Sequence, residues 1–218
     1  MPSLNTVKIP EELLPTSTFG CGPSQGHPEI KKTRIGDIPF ERSHRAADIT
    51  KDGLIKEATE NIRTLLKIPQ DYAIIFFLGG ATPALDSIAW SLSTTSISGL
   101  RFGAFSKLWG SQIGNLLYPR VEKKFIDCKE GEQFPSVEPD WNASLVILTP
   151  NETSTGVCIP NDYLESAWNK KGKDTLIAWD LTSCAGGRLL PTHYYDAAAF
   201  SFQKCFGSPG GTGLLVLS

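Results

Sequence analysis

The sequence predicts an α/β fold, a mainly parallel sheet with helices on both faces, and two patterns lead there. Short apolar runs recur at 74–78, 124–128, 145–149, 176–180, 197–202 and 214–217, with helical segments between several of them. Strands that alternate with helices form βαβ units, and strands covered on both faces read as continuous apolar runs. The second pattern is chemical. Asp180, Lys204 and the turn 79–82 stand at the carboxyl ends of those runs or just past them. Open α/β sheets bind ligands at that edge.

Residues 1–18 carry Pro2, Pro10 and Pro15 without a clear period, which predicts an extended arm; 19–218 read as one domain. Leu54, Ile55, Ala58, Ile62, Leu65 and Leu66 recur at helical spacing with Pro69 just beyond, which predicts a helix over 54–66. The run 74–78 leads into Gly79 and Gly80. Thr82 is placed to cap a helix over 84–92, with Pro83 at its first position. Another helix is predicted over 161–169. The run 176–180 ends in Asp180, and 197–202 ends just before Lys204 and a loop rich in Gly, Ser and Pro. No repeat, low-complexity tract or linker interrupts the chain.

A lysine at the mouth of a buried strand can lose its proton and form a Schiff base with an aldehyde cofactor. An acid one strand upstream, Asp180, suggests which one. Pyridoxal phosphate needs a lysine for its aldehyde and a carboxylate that keeps its pyridine nitrogen protonated. Gly79 and Gly80 allow close backbone approach, and the helix that follows offers N–H groups to a phosphate. Each feature also has an ordinary reading. Lys204 can be a solvated strand-end lysine, Asp180 a helix cap or surface acid, and Gly79-Gly80 a plain strand-to-helix turn.

Composition fits such a reading. The 218 residues are 40% hydrophobic, enough for a sizeable core in one domain. A net charge of −2 suggests neither nucleic acid nor an anionic membrane surface as partner. Cys21, Cys128, Cys158, Cys184 and Cys205 are widely spaced, without a Cys-x-x-Cys pair and without a signal peptide, which predicts free thiols in a reducing cytoplasm. His27, His44 and His193 have no metal-ligand spacing, so no metal is expected. No apolar run is long enough to cross a membrane.

Five segments occur in order: Ser43-His44-Arg45; Gly79-Gly80-Ala81-Thr82; Asn151-Glu152-Thr153-Ser154-Thr155-Gly156-Val157; Asp180-Leu181-Thr182-Ser183-Cys184-Ala185-Gly186-Gly187; and Phe202-Gln203-Lys204. From about Phe19 to its end the chain resembles the phosphoserine aminotransferases, pyridoxal-phosphate enzymes of fold type I, class V. The resemblance implies the large cofactor domain of that fold. It implies transamination between 3-phosphoserine and 3-phosphohydroxypyruvate with glutamate and 2-oxoglutarate, in serine biosynthesis. It makes Lys204 the Schiff-base lysine and proton shuttle, and Asp180 the partner of the pyridine nitrogen. Gly80, Ala81 and Thr82 become the phosphate cradle, Thr153 a contact to the ring hydroxyl, and Gln203 a phosphate or ring contact. Phe105 stands where an aromatic stacks on the ring, with Trp109 as the alternative. His44 and Arg45 resemble the residues that hold the substrate's distal anion, and their ordinary reading is a surface basic pair.

The resemblance also implies partners. These are small amino-acid and 2-oxo-acid substrates, and a second copy in a homodimer when full length. Relatives continue well past Ser218, so the C-terminal small domain is expected to be absent and substrate clamping half present. Another class V aminotransferase, a desulfurase, or a cofactor-binding remnant without turnover would keep Lys204 and Asp180.

Overall fold

A computed structural model describes Ser24, Gly26 and residues 28–32, 53–117, 120–128 and 137–218. The arm expected over 1–18, and His44 and Arg45, lie outside the described residues. Among the described residues five helices alternate with nine strands: α1 Pro28–Lys32, α2 Leu54–Leu66, β1 Ala73–Leu78, α3 Ala81–Leu92, β2 Ser96–Arg101, α4 Ala104–Leu117, β3 Glu122–Asp127, β4 Leu145–Leu148, β5 Asn151–Glu152, β6 Val157–Cys158, α5 Asn161–Lys170, β7 Leu176–Asp180, β8 Ala197–Ser201 and β9 Thr212–Leu217. Seven strands form one sheet in the order β1-β9-β8-β7-β4-β2-β3. Strands β8, β7, β4, β2 and β3 pair in parallel, and β9 runs antiparallel between β8 and β1. The fold class is therefore the mainly parallel one that the sequence predicts. Strands β5 and β6 form a separate short hairpin.

The two-residue period of the strands sorts side chains between two cores. Ile177, Trp179, Ala198 and Phe200 join Val146, Leu148, Ile159 and Leu164 on one face. Ala178, Ala197 and Ala199 join Leu85, Ile88, Ile113 and Trp109 on the other, under α3 and α4. By the same period Asp180, two residues after Ala178, faces α3 and α4. The small side chains of β8 let α3 lie close against β8 and β9.

Besides the short α1, β5 and β6, two longer elements are absent from the sequence reading. Strand β2 was hidden by Ser96, Ser98 and Gly99, yet all but its last residue are buried. Ser98 Oγ donates to Lys124 O at 2.9 Å and accepts from Asp140 N at 2.9 Å, which satisfies a hydroxyl inside the sheet. A Cβ on Gly99 would lie 2.7 Å from Ile147 O. Helix α4 covers Phe105 and Trp109, where the sequence reading gave no helix. A third difference is the start of α3. Gly80, not Thr82, holds the N-cap position, with φ 79° and ψ −151°. An L side chain rarely adopts that conformation, so glycine takes the position, and Pro83 falls inside the first turn, where it forfeits no helical hydrogen bond.

Gly213 on β9 pairs with Phe77 of β1 and Ser201 of β8. A Cβ there would lie 2.4 Å from Gly80 O and 2.5 Å from Gly80 C, which are backbone atoms that cannot rotate away. Gly213→Ala is therefore expected to destabilise the chain by about 1–3 kcal/mol in urea unfolding. Its exposed neighbour serves as control, and Thr212→Ala should stay within about 0.5 kcal/mol. Equal effects would mean that this close approach is not a packing constraint.

Candidate active site

Three chain crossings deliver functional groups to the carboxyl edge of the sheet. Strand β1 ends at Leu78, and Gly79 and Gly80 turn the chain with φ of 95° and 79°. Gly79 N–H donates to Gly211 O at 2.8 Å, which ties this turn to the start of β9. A Cβ on Gly80 would stand 3.3 Å from Ser201 Oγ, so the turn packs tightly on the end of β8. Among the described residues no side chain caps the first turn of α3. The positive end of that helix therefore opens toward the same edge, a setting suited to an anion.

Asp180 closes β7 and is 5% exposed. Its Oδ1 accepts from Thr182 N at 3.0 Å and Thr182 Oγ1 at 2.7 Å, and its Oδ2 accepts from Trp109 Nε1. Burial raises its pKa above the ordinary carboxylate value, and the charge of Glu152 adds to the rise. The bonds from Thr182 and Trp109 pull in the other direction without cancelling it.

Lys204 follows the end of β8 by three residues. Its backbone is held by Ser24, whose N–H donates to Gln203 O at 2.8 Å and whose hydroxyl donates to Lys204 O. Its Nζ lies 5.9 Å from the centre of the Phe105 ring.

Glu152 is fully buried and forms no ion pair among the described residues. Its carboxylate accepts from Phe105 N at 3.3 Å and Ser106 N at 2.7 Å at the start of α4, and from Ser154 N and Oγ at 3.1 and 2.8 Å. Ser154 Oγ in turn accepts from Ala104 N at 2.7 Å. Burial pushes the Glu152 pKa up, but the N–H and O–H donors of Ser106 and Ser154 outweigh it and hold the group below the usual carboxylate range. Gly103 permits this contact, because a Cβ there would lie 2.2 Å from Glu152 Cγ.

These elements enclose a cavity of about 320 Å³ whose lining includes Gly80, Ala81, Thr82, Phe105, Thr153, Asp180, Gln203 and Lys204. Every cofactor residue named from the sequence thus borders one space. The sequence reading gave no role to three neighbours, Glu152, Ser201 and Asn151, and offered Trp109 only as the alternative stacking aromatic. Trp109 is buried against Asp180, so Phe105 is the aromatic beside Lys204. Glu152 anchors α4, Ser201 backs the glycine turn, and Asn151 exchanges hydrogen bonds of 2.7 Å with Ser183. Glu152 had a visible signal, an acid inside the quoted 151–157 motif. Ser24 and Ser201 had none.

No protein-family model matches the chain. It is 32% identical over 219 residues to a phosphoserine aminotransferase of Rhodococcus opacus, covering 98% of this chain and 56% of that one. The chain spans about half the length of the curated relatives it matches. The crystal structure of a phosphoserine aminotransferase from Cytophaga hutchinsonii superposes with a TM-score of 0.76 at 27% identity, covering 91% of this chain and 54% of the other. A pyridoxal-phosphate-bound phosphoserine aminotransferase from Trichomonas vaginalis shares the fold, with a TM-score of 0.66 at 20% identity, over 91% of this chain and 57% of its own.

The two buried carboxylates predict opposite pH behaviour. Glu152, with its pKa lowered by folding, contributes stability above the unfolded value of about 4.3, and that contribution is lost as pH falls through the folded value. Glu152→Gln places an amide N–H₂ against backbone N–H donors. It is expected to lower stability by about 1–3 kcal/mol at pH 7, a gap that narrows in acid. Thermal melts of both proteins from pH 3 to 8 check this, and a gap independent of pH would refute it.

Asp180, with its pKa raised, contributes stability below its unfolded value, and that contribution is lost as pH rises through the folded value. Asp180→Asn should therefore gain stability relative to wild type between pH 5 and pH 8 in urea unfolding without ligand. A relative loss would mean that the Asp180 charge is compensated in the fold.

Proposed function

We propose that this chain, a homologue of the phosphoserine aminotransferases over about half their length, is the cofactor-holding part of a pyridoxal-phosphate-dependent transaminase. The reaction moves an amino group between 3-phosphoserine and 2-oxoglutarate, giving 3-phosphohydroxypyruvate and glutamate. The observation that carries this reading is the convergence of Lys204, Asp180 and the α3 N-terminus on one cavity.

The residues fit the cofactor part by part. The N–H groups at the start of α3, beside the glycine turn, suit a phosphate. A buried carboxylate without a cationic partner among the described residues suits a protonated ring nitrogen. Phe105, Thr153 and Lys204 line the same cavity as these two groups. When bound, pyridoxal phosphate supplies an aldehyde that bonds covalently to amines and a protonated ring that draws electrons from the substrate Cα. Lys204 Nζ would be the amine that holds the cofactor and the base that takes the proton from the substrate Cα. Asp180 holds the ring proton in place. Phe105 excludes water from one side. By the resemblance, Arg45 and His44 would hold the distal phosphate or carboxylate of the donor, an anion that a guanidinium can bind with two N–H groups.

Cys128, Cys158, Cys184 and Cys205 are free thiols, which suits a cytoplasmic enzyme. Among the described residues no helix is long and apolar enough to cross a membrane. The partners are the amino and oxo acids, and a second copy in a homodimer of the complete protein.

Borohydride reduction of the chain incubated with pyridoxal phosphate, followed by peptide mass mapping, is expected to place the pyridoxyl group on Lys204. A label on another lysine overturns the assignment. Steady-state kinetics with 3-phosphoserine, glutamate and alanine then test the substrate class. Arg45→Ala should impair the first two by at least about thirtyfold, the effect of leaving a desolvated anion unpaired, and spare alanine. Equal losses would favour another class V enzyme, and a labelled Lys204 without turnover would favour the remnant.

A further inference from the structure

Trp109 has no role in the reading above. It sits one helical turn after Phe105 on α4, so both side chains share a face. Its indole is 5% exposed and packs among Leu85, Ile88, Ile113 and Ala199. Packing alone would explain a large apolar ring there, but the polar edge of this ring is aimed. Its N–H donates to Asp180 Oδ2, the oxygen that Thr182 leaves open. Trp179 supplies the contrast. It is fully buried on the opposite face of the sheet, and its Nε1 has no hydrogen-bond partner among the described residues. One buried tryptophan therefore only packs, while the other packs and holds a carboxylate.

We propose that Trp109 is the positioning residue for Asp180: its indole N–H fixes Oδ2, Thr182 fixes Oδ1, and together they set the carboxylate plane that faces the cavity. A carboxylate on β7 rotates about one side-chain bond when only one oxygen is held. Donors on both oxygens, from two separate elements, remove that freedom. Because Trp109 and Phe105 are carried by one helix, the same contact sets the carboxylate relative to the flanking ring. The ring-nitrogen part of this proposal rests on the cofactor reading above; the hold on Asp180 does not. Among the described residues, the other titratable groups around Asp180 are Glu152, whose charge opposes its ionisation, Cys184, whose thiol is pushed up to about 12 by burial and by the Asp180 charge, and Lys204, which lines the same cavity.

The test has two arms. In the first, without cofactor, the side-chain carboxyl of Asp180 is titrated by carbon NMR, with its signal assigned through Asp180→Asn. Trp109→Phe removes the N–H and keeps an aromatic ring, so the Asp180 midpoint should rise by about one pH unit. Trp179→Phe, an equal truncation of a buried indole, should leave it in place. An unchanged midpoint in Trp109→Phe, or equal shifts in both variants, overturns the proposal. If Trp109→Phe does not fold, the wild-type indole signals decide. One of them should move with the Asp180 titration and be displaced in Asp180→Asn, and its absence overturns the proposal equally.

In the second arm pyridoxal phosphate is added. Trp109→Phe should weaken its binding about tenfold and shift the pH dependence of its visible absorbance, while Trp179→Phe should do neither. Wild-type binding with no difference between the variants overturns the ring-nitrogen part. A wild-type chain that takes up no cofactor overturns the cofactor reading and that part together, and the first arm still decides whether Trp109 holds Asp180.

Discussion

Asp180 is a buried carboxylate held by neutral donors at the end of a central strand, and much of the local architecture exists around that fact. Removing a carboxylate from water is unfavourable unless hydrogen bonds or an opposite charge replace the solvent. Thr182 and Trp109 replace part of it, and the raised pKa records the remainder. Such a group stores a preference for a cation. A protonated ring placed against it gains the attraction and relieves the burial, so the folded chain is least satisfied where it would hold its ligand best. This is the usual direction of a trade between stability and function.

The strand order explains how one edge collects the remaining groups. Strands β1, β8, β7 and β4 all point their carboxyl ends the same way, and β9 enters from that edge between β1 and β8. The glycine turn after β1 therefore meets the start of β9, through Gly79 N–H to Gly211 O and through the close approach of Gly213 to Gly80. Ser201, at the end of β8, backs the same turn. The start of α3 and the Lys204 backbone are thus positioned by backbone contacts, which are stiffer than side-chain contacts alone.

Much of this was legible in the residues. Apolar runs that end in Asp180 and precede Lys204 place both at the sheet edge, because strand ends and apolar run ends coincide when both faces are buried. Strand β2 was not legible, because Ser98 is satisfied by Lys124 O and Asp140 N from elements distant in sequence. The α3 cap was misplaced for a related reason. Threonine is a good cap in isolation, but the left-handed turn needed after β1 assigns the position to Gly80. Helix α4 was missed because its first turn, Gly103 to Ser106, reads as a loop; Ser106 Oγ accepts from Gly103 N, but the N–H groups of Ala104, Phe105 and Ser106 are satisfied by Ser154 and Glu152, some fifty residues away.

That remote cap makes α4 a shared support. Glu152 and Ser154 lie on either side of Thr153, so the hairpin that presents Thr153 to the cavity is bonded to the helix that presents Phe105 and Trp109. Glu152 is held below the usual carboxylate range by four donors, two of them at the positive end of a helix, whereas Asp180, near by, is raised because its burial is offset by fewer donors and the Glu152 charge opposes its ionisation. Two acids in one small volume are thereby driven apart in pKa. The anchoring acid keeps its charge fixed by bonds within the fold. The acid that faces the cavity keeps a charge the fold has not matched, and a cationic ring is the kind of group that would match it.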